Sequence, residues 1–252
     1  MKIAIITGAS SGMGKEFVLQ LDRRESFDEL WLIARRKERL EEIGSLTKAP
    51  VRAIGLDLCD SASLDAYKSL LSEYKPDVKV LVNASGFGRF GAFEDISLED
   101  QLAMIDLNDK ALVSMTYLTL PYMKEGSEIF QIDSLSSFQP VPYIGVYGAT
   151  KAFVLSFSRA LGVELKNRGI RVMAVCPGWV RTEFFDRAVT DDTIKYYNKF
   201  FESDEVVRRA LSDMKKGRDL SICGASIRAQ MFFTKLMPHK LVMKIWCKQQ
   251  KK

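Results

Sequence analysis

The chain alternates short, uniformly apolar runs with longer segments whose apolar residues recur at helical spacing. Residues 2–6 form the first run, and Phe17, Val18 and Leu21 set a helical pattern within Lys15 to Arg24. Leu30 to Ala34 is apolar again, and a helix is expected from Arg36 to Ile43. The alternation continues with strands at 51–56, 78–82, 129–132 and 170–176, and helices at 64–74, 98–123 and 147–165. Short continuous apolar runs suit strands buried on both faces, and such strands are usually parallel. Strands alternating with helices predict an α/β fold: a doubly wound parallel sheet in three layers, with helices on both sides. No linker or internal repeat divides the 252 residues, so one domain spanning 1–252 is expected.

The polar residues of interest follow the strands. Thr7-Gly8-Ala9-Ser10-Ser11-Gly12-Met13-Gly14 links the first strand to the first helix. Gly8, Gly12 and Gly14 permit a tight turn and let phosphate oxygens approach the backbone. The helix N-terminus adds free amides and a positive dipole end. Strand, glycine turn and helix together give the Rossmann-like context for dinucleotide binding; the plainer alternative is a glycine-rich turn. In that fold an acid about 20 residues further on holds the ribose hydroxyls of NAD. Here that place holds Arg35 and Arg36. The planar arginine fork suits a 2′-phosphate, so NADP(H) is expected over NAD(H). The alternative is that both arginines open a solvated helix.

Further polar groups close the later strands: Asp57-Leu58, Asn83-Ala84-Ser85-Gly86, Asp133-Ser134, and Pro177-Gly178-Trp179-Val180-Arg181-Thr182. Ligands of open parallel sheets bind outside the carboxyl ends of the strands. Tyr147 and Lys151 then lie one helical turn apart on a shared face. An ammonium near a phenol favours the phenolate and is expected to lower its pKa, which suits proton transfer near neutral pH. Alone, this pair is a weak motif; its company at the strand ends gives it weight.

Composition narrows the field. With 47% hydrophobic residues the chain can bury a sizeable core. Its apolar start gives way to Thr7-Gly8 too soon for a signal peptide, and no run reaches a membrane span, so a cytoplasmic protein is expected. The four cysteines include no C-x-x-C pair, which argues against a zinc site or a disulfide scaffold. A single histidine, His239, argues against histidine-rich metal sites and against a Ser-His-Asp triad away from the C-terminus. No metal is expected. The net charge of +5 is uneven: residues 220–252 carry Arg228 and Lys235, Lys240, Lys244, Lys248, Lys251 and Lys252 with no acid. The remainder is close to neutral, so a nucleic-acid partner is not implied.

Together these residues resemble the short-chain dehydrogenase/reductase family in its single-domain form, over about residues 2–182 and more weakly beyond. The family's T-G-x-x-x-G-x-G turn is matched at Thr7 to Gly14, and its P-G-x-V-x-T segment at Pro177, Gly178, Val180 and Thr182. Its N-N-A-G segment is matched loosely at Asn83 to Gly86, where Ala84 and Ser85 depart from the pattern. Its catalytic Asn–Ser–Tyr–Lys set falls on Asn108, Ser134, Tyr147 and Lys151, with Ser136 and Ser137 as competitors for the serine. The resemblance implies an NADP(H)-dependent oxidoreductase that interconverts a carbonyl and a secondary alcohol. Tyr147 would give or take the proton, and Lys151 would tune it and hold the nicotinamide ribose. Ser134 would stabilise charge on the substrate oxygen, and Asn108 would position the lysine through a water. Thr182 would face the nicotinamide and Asp57 the adenine. Gly8 to Gly14, Asn83 to Ser85, Leu58 and Arg35-Arg36 would complete the cofactor site. The resemblance also implies a homodimer or homotetramer, paired through the two long helices.

The substrate side is read from residues 183–201, which in such a protein commonly fold as a mobile lid. Phe184, Phe185, Tyr196, Tyr197, Phe200 and Phe201 would suit an apolar, lipid-like small molecule, or else form the core face of small helices. In the basic extension, about 225–252, Lys240, Lys244 and Lys248 form one helical stripe with Leu241, Val242, Ile245 and Trp246 largely away from it. That pattern fits either packing on the body or contact with an anionic membrane. A rival reading is a non-catalytic NADP(H)-sensing regulator on the same fold, which would be free to lose the catalytic set. A nucleotide-sugar epimerase would share Tyr147 and Lys151 but need a larger C-terminal domain.

Overall fold

The computed structural model describes residues 1–189 and 191–252; Thr190, inside the expected lid, lies outside the described residues. Strand β1 (Lys2–Thr7) leads into α1 (Gly12–Arg24), β2 (Glu29–Ala34), α2 (Lys37–Gly44), β3 (Val51–Gly55) and α3 (Ser61–Tyr74). The chain continues with β4 (Asp77–Asn83), α4 (Leu98–Ile105), a π-turn at Asp106–Lys110, α5 (Ala111–Thr119), β5 (Met123–Ile132), α6 (Gly145–Glu164) and β6 (Arg171–Val175). It ends with β7 (Trp179–Val180), α7 (Phe184–Ala188), β8 (Phe200–Phe201), α8 (Ser203–Lys215), β9 (Leu220–Ser221), α9 (Ala225–Leu236) and α10 (His239–Gln249).

Seven parallel strands form the central sheet in the order β3-β2-β1-β4-β5-β6-β9. The doubly wound three-layer architecture is therefore as expected. Alternation along β1 builds both layers at once. Ala4 and Ile6 point into a core with Phe17, Leu21, Phe130 and Val207, while Ile3 and Ile5 point the other way, toward Trp31, Tyr67 and Met115. Strand order reverses between β1 and β4, and the crevice at such a switch point is where an open α/β sheet takes its ligand. No helix among the described residues is long and apolar enough to cross a membrane.

Three expectations need correction. The stretch 98–123 is not one regular helix: it is interrupted by the π-turn, a short 3₁₀ turn carries Pro121, and Met123 already belongs to β5. A π-turn admits one extra residue per turn, and here it leaves Asn108 buried. Expected β5 also begins too late, because polar Lys124 and Glu125 hide its first half. Strand β9 has no counterpart in the sequence reading. It is two residues long, held by backbone bonds from Ala174 and Cys176 and by Ser221 Oγ donating to buried Asp213 at 3.0 Å.

The tightest packing lies where β1 meets α1. Gly8 has φ +62, and a Cβ at Gly14 would fall 2.2 Å from the Gly8 carbonyl oxygen. Both partners there are backbone, so nothing can move aside cheaply. Gly14→Ala is expected to cost at least the roughly 1–3 kcal/mol of an overpacked core. Gly145, with nothing within 4 Å of its Cβ position, supplies the control. Thermal melts of the two alanine variants check this; equal midpoints would show that α1 does not rest on Gly8.

Candidate active site

At the switch point the turn after β1 and the segment after β4 are tied together. Thr7 Oγ1 accepts hydrogen bonds from the amides of Ala84 at 3.0 Å and Ser85 at 3.1 Å. The unexpected residues at 84 and 85 thus bond through their backbone, which any side chain permits. Asn83 faces away from the groove. Its amide donates to Thr116 Oγ1 at 3.0 Å and to Gln131 Oε1 at 2.9 Å, joining β4, β5 and α5 in a buried polar network.

The groove fits a dinucleotide on several counts. Helix α1 begins at Ser11 with no side-chain cap and no acid in its first turn, so Met13 and its neighbours leave free amides there. A Cβ on Gly12 would approach Thr182 Cγ2 to 3.1 Å, which places Thr182 against the glycine turn, and Pro177, Gly178 and Val180 line the same cavity as Met13. Arg36 donates to Ser10 Oγ at 3.3 Å and to Glu183 at 2.9 Å, and Arg39 donates to Glu183 at 2.6 Å. These arginines hold the Glu183 carboxyl below its usual range. Arg35 is exposed and makes no side-chain hydrogen bond or ion pair among the described residues. Arg39, which the sequence reading passed over, therefore joins Arg36 at the place of the expected phosphate. Asp57 follows β3, where it accepts from the Cys59 amide at 3.0 Å, and Leu58 is buried beneath it.

The second half of the site gathers at the end of β5 and the start of α6. Lys151 is 5% exposed and donates to the Ile132 carbonyl at 2.9 Å. Burial lowers its pKa, opposed by Asp133 and Asp109. Tyr147 is 8% exposed, with its ring against Phe184 and Phe90. Its pKa is not lowered as expected. Burial pushes the phenol up, opposed by the adjacent Ser134 hydroxyl, and the lysine ammonium lies 5.7 Å from the ring centroid, bonded elsewhere. The phenol is thus a protonated donor in this state.

Ser134 caps a short 3₁₀ turn and accepts from the Ser136 amide at 3.2 Å. Of its competitors, Ser137 donates to the Ser134 carbonyl at 2.6 Å, while the buried Ser136 hydroxyl lines the cavity and has no partner among the described residues. Asn108 makes no direct hydrogen bond to Lys151 among the described residues. Its side chain pairs with both the N–H and the C=O of Phe87, at 3.0 and 2.9 Å, and donates to Thr150 Oγ1 at 3.0 Å. A Cβ on Gly86 would stand 2.9 Å from Asn108 Oδ1 and 3.6 Å from Lys151 Nζ, so this glycine gives both side chains room. Asp133 is a buried carboxyl that the sequence reading did not use. Its Oδ2 accepts from the Cys176 thiol at 3.0 Å, and its Oδ1 has no partner among the described residues.

Ser134, Tyr147 and Lys151 open on one cavity of about 420 Å³, which Gly86, Gly178 and Thr182 also line. Phe90, Trp179, Phe184, Phe185 and Tyr196 form its aromatic side. The lid aromatics are both cavity wall and packed cluster: Phe185 also packs at tilted or edge-on angles against Trp179, Tyr197 and Phe200. The C-terminal helices close the far side with Phe233, Met237, Val242, Ile245 and Trp246. Trp246 Nε1 donates to the Pro142 carbonyl at 3.0 Å, and Gln250 accepts from the amides of Lys195 and Tyr196 at 2.8 and 3.0 Å. One face of the basic extension therefore packs on the body, as one of its two expected readings requires.

The short chain dehydrogenase family model matches residues 2–193. Sulfoacetaldehyde reductase 2 of Chromohalobacter salexigens is 37% identical over 191 residues, spanning 72% of this chain and 74% of that protein. A short-chain dehydrogenase from Sphingobium yanoikuyae, solved in complex with NADPH, has a TM-score of 0.81 at 31% identity, over 96% of this chain and 95% of the other. The bulky-bulky ketone specific alcohol dehydrogenase from Comamonas testosteroni has a TM-score of 0.75 at 26% identity, over 94% of this chain and 92% of the other.

A buried and a half-buried acid give the site a pH signature. Burial pushes Asp133 up to about 7, opposed by the Cys176 thiol and Lys151, and pushes Asp109 up to about 7, opposed by Lys151. In the unfolded chain such acids titrate near about 3.9. The folded protein therefore holds the extra protons between those values, and stability falls as pH rises through that window. The thermal midpoint is expected to drop from about pH 4 to about pH 7 and to level off above it. Asp133→Asn should remove part of the drop and leave the share of Asp109. Melting curves across that range decide it; an unchanged slope in the variant would show that Asp133 ionises freely in the fold.

Proposed function

The chain belongs to the short-chain dehydrogenase family, and on that premise we propose that it is a single-domain NADP(H)-dependent oxidoreductase interconverting a carbonyl and a secondary alcohol. The observation that carries this is the convergence of Ser134, Tyr147 and Lys151 with the glycine turn and Thr182 on one cavity. NADP(H) would lie along the turn after β1, with Arg36 and Arg39 at its 2′-phosphate and Lys151 and Thr182 at its nicotinamide end. When bound, the nicotinamide supplies or accepts the hydride.

The chain's own residues do the rest. Ser134 donates a hydrogen bond to the substrate oxygen and steadies the charge that grows there. Tyr147, held protonated by burial, gives that oxygen its proton in the reductive direction. The ammonium of Lys151, 5.7 Å from the ring centroid, would favour the phenolate left behind once it leaves the Ile132 carbonyl. Asn108 acts as a positioning residue, fixing the Phe87 backbone beside Gly86. Aromatic and apolar walls exclude water and suit an apolar, lipid-like substrate. Four free thiols fit a cytoplasmic setting, where they stay reduced. A homodimer or homotetramer would cover Leu98, Leu102, Ile105, Tyr117, Phe153 and Val163, which stand exposed on α4, α5 and α6.

Tyr147→Phe removes only the hydroxyl. With apolar ketones as substrates and NADPH absorbance as the readout, turnover is expected to fall by about 10²–10⁴, with cofactor binding retained. Turnover close to that of the parent protein would remove Tyr147 from its role.

Arg36→Ala tests the cofactor. Losing one charged hydrogen bond costs about 1.5–3 kcal/mol, so NADPH should bind roughly 10- to 150-fold more weakly while NADH binding barely changes. Fluorescence titration of both cofactors measures this, and a parent protein that prefers NADH refutes the assignment directly.

A further inference from the structure

The inner face of α9 and α10 belongs to the cavity, but much of the outer face is exposed among the described residues. Phe232, Phe233 and Leu236, at the end of α9, are 58%, 61% and 69% exposed. Leu241 and Ile245 continue this apolar edge along α10 and are also exposed. They cannot turn inward, because Trp246 and Gln250 fix α10 by its other side. Lys240, Lys244 and Lys248 recur every four residues beside Leu241 and Ile245, so a cationic stripe runs next to the apolar one. All three lysines are exposed. From Leu220 to the last residue the sequence contains no acid; Asp191, from another segment, faces Lys252 at the far end.

We propose that this edge of α9 and α10 is a docking surface for an anionic lipid membrane. Apolar side chains flanked by lysines match a bilayer interface, where phosphates lie above acyl chains. A second copy of the chain fits poorly, since two such surfaces would set lysine against lysine. A nucleic acid would use the lysines and leave the phenylalanine and leucine edge without a role. The position of the cavity adds a consequence. Phe233 and Ile245 both line the cavity and stand exposed, so they form its rim on the docking side. A docked protein would present the mouth of its cavity to the lipid, and an apolar substrate would pass from bilayer to site without crossing water. That last step rests on the activity proposed above; the docking does not.

The test uses the full chain and two vesicle types, phosphatidylcholine alone and phosphatidylcholine mixed with phosphatidylglycerol. Co-sedimentation is expected with the mixed vesicles only, and it should weaken as salt is raised. Lys240→Glu, Lys244→Glu and Lys248→Glu combined should reduce partitioning on the order of 100-fold. Phe232→Asp with Leu236→Asp should also abolish it while leaving the lysines in place. None of these five residues lines the cavity, so NADPH binding in each variant serves as the check on folding. Absence of binding to the mixed vesicles at low salt overturns the proposal. So does equal binding to both vesicle types, or variants that bind like the parent. If the variants instead change the oligomeric state in sedimentation velocity, with no vesicle binding by the parent, the surface belongs to a second copy. Those outcomes leave the proposed activity standing, since turnover of a water-dispersed ketone is measured separately.

Discussion

A lysine ammonium taken out of water must find its charge and hydrogen-bond partners inside the protein. The organisation of this site follows from meeting that need for Lys151. The Ile132 carbonyl, left free where β5 ends, accepts one of its hydrogen bonds, and the buried Asp133 and half-buried Asp109 lie near it. Asp133 is followed directly by Ser134, and α6 carries Tyr147 one turn before the lysine. The π-turn brings Asn108 alongside, and Gly86 leaves space for it. Each candidate catalytic residue is thus a sequence neighbour of a group that serves the lysine or gives it room.

The cofactor side rests on a different constraint, the approach of backbone to backbone. Gly8 and Gly14 let α1 begin directly over β1, and the Thr7 hydroxyl draws in the segment after β4. This leaves the first turn of α1 facing the crevice with its amides free. Glu183 then bridges this side to the substrate side, since it precedes α7 and engages Arg36 and Arg39 beyond the glycine turn. The two halves of the site are joined by an exposed ion pair, an interaction worth little on its own and easily exchanged for another anion.

Much of this was legible from the sequence because the signals were local. Strands β1, β2, β3, β4 and β6 announce themselves as apolar runs, and the glycine turn, the Tyr147–Lys151 pair and the segment from Pro177 to Thr182 are contiguous motifs. What escaped depends on contacts between distant segments. Two residues of β9 carry no periodicity; only Asp213 and the free edge of β6 make them a strand. The choice of Arg36 over Arg35 as the reach toward Ser10 turns on side-chain direction after β2. The upward shift of the Tyr147 phenol reverses the sequence expectation because burial outweighs the Ser134 hydroxyl and the lysine ammonium is bonded elsewhere. The cavity wall built from α9 and α10 was visible only as an amphipathic pattern, which states that a face is covered and not by what.

Gln250 gives the molecule a mechanical link. One side-chain oxygen from beyond α10 holds the amides of Lys195 and Tyr196, and its nitrogen returns a bond to the Tyr196 carbonyl at 3.3 Å. The segment bearing Tyr196 is therefore not a flap hinged on its own two ends. To swing away from the cavity it must either strip a buried amide of three partners or carry the last helix with it. That wall and α10 are thus coupled through one side chain, and a change at position 250 alters both.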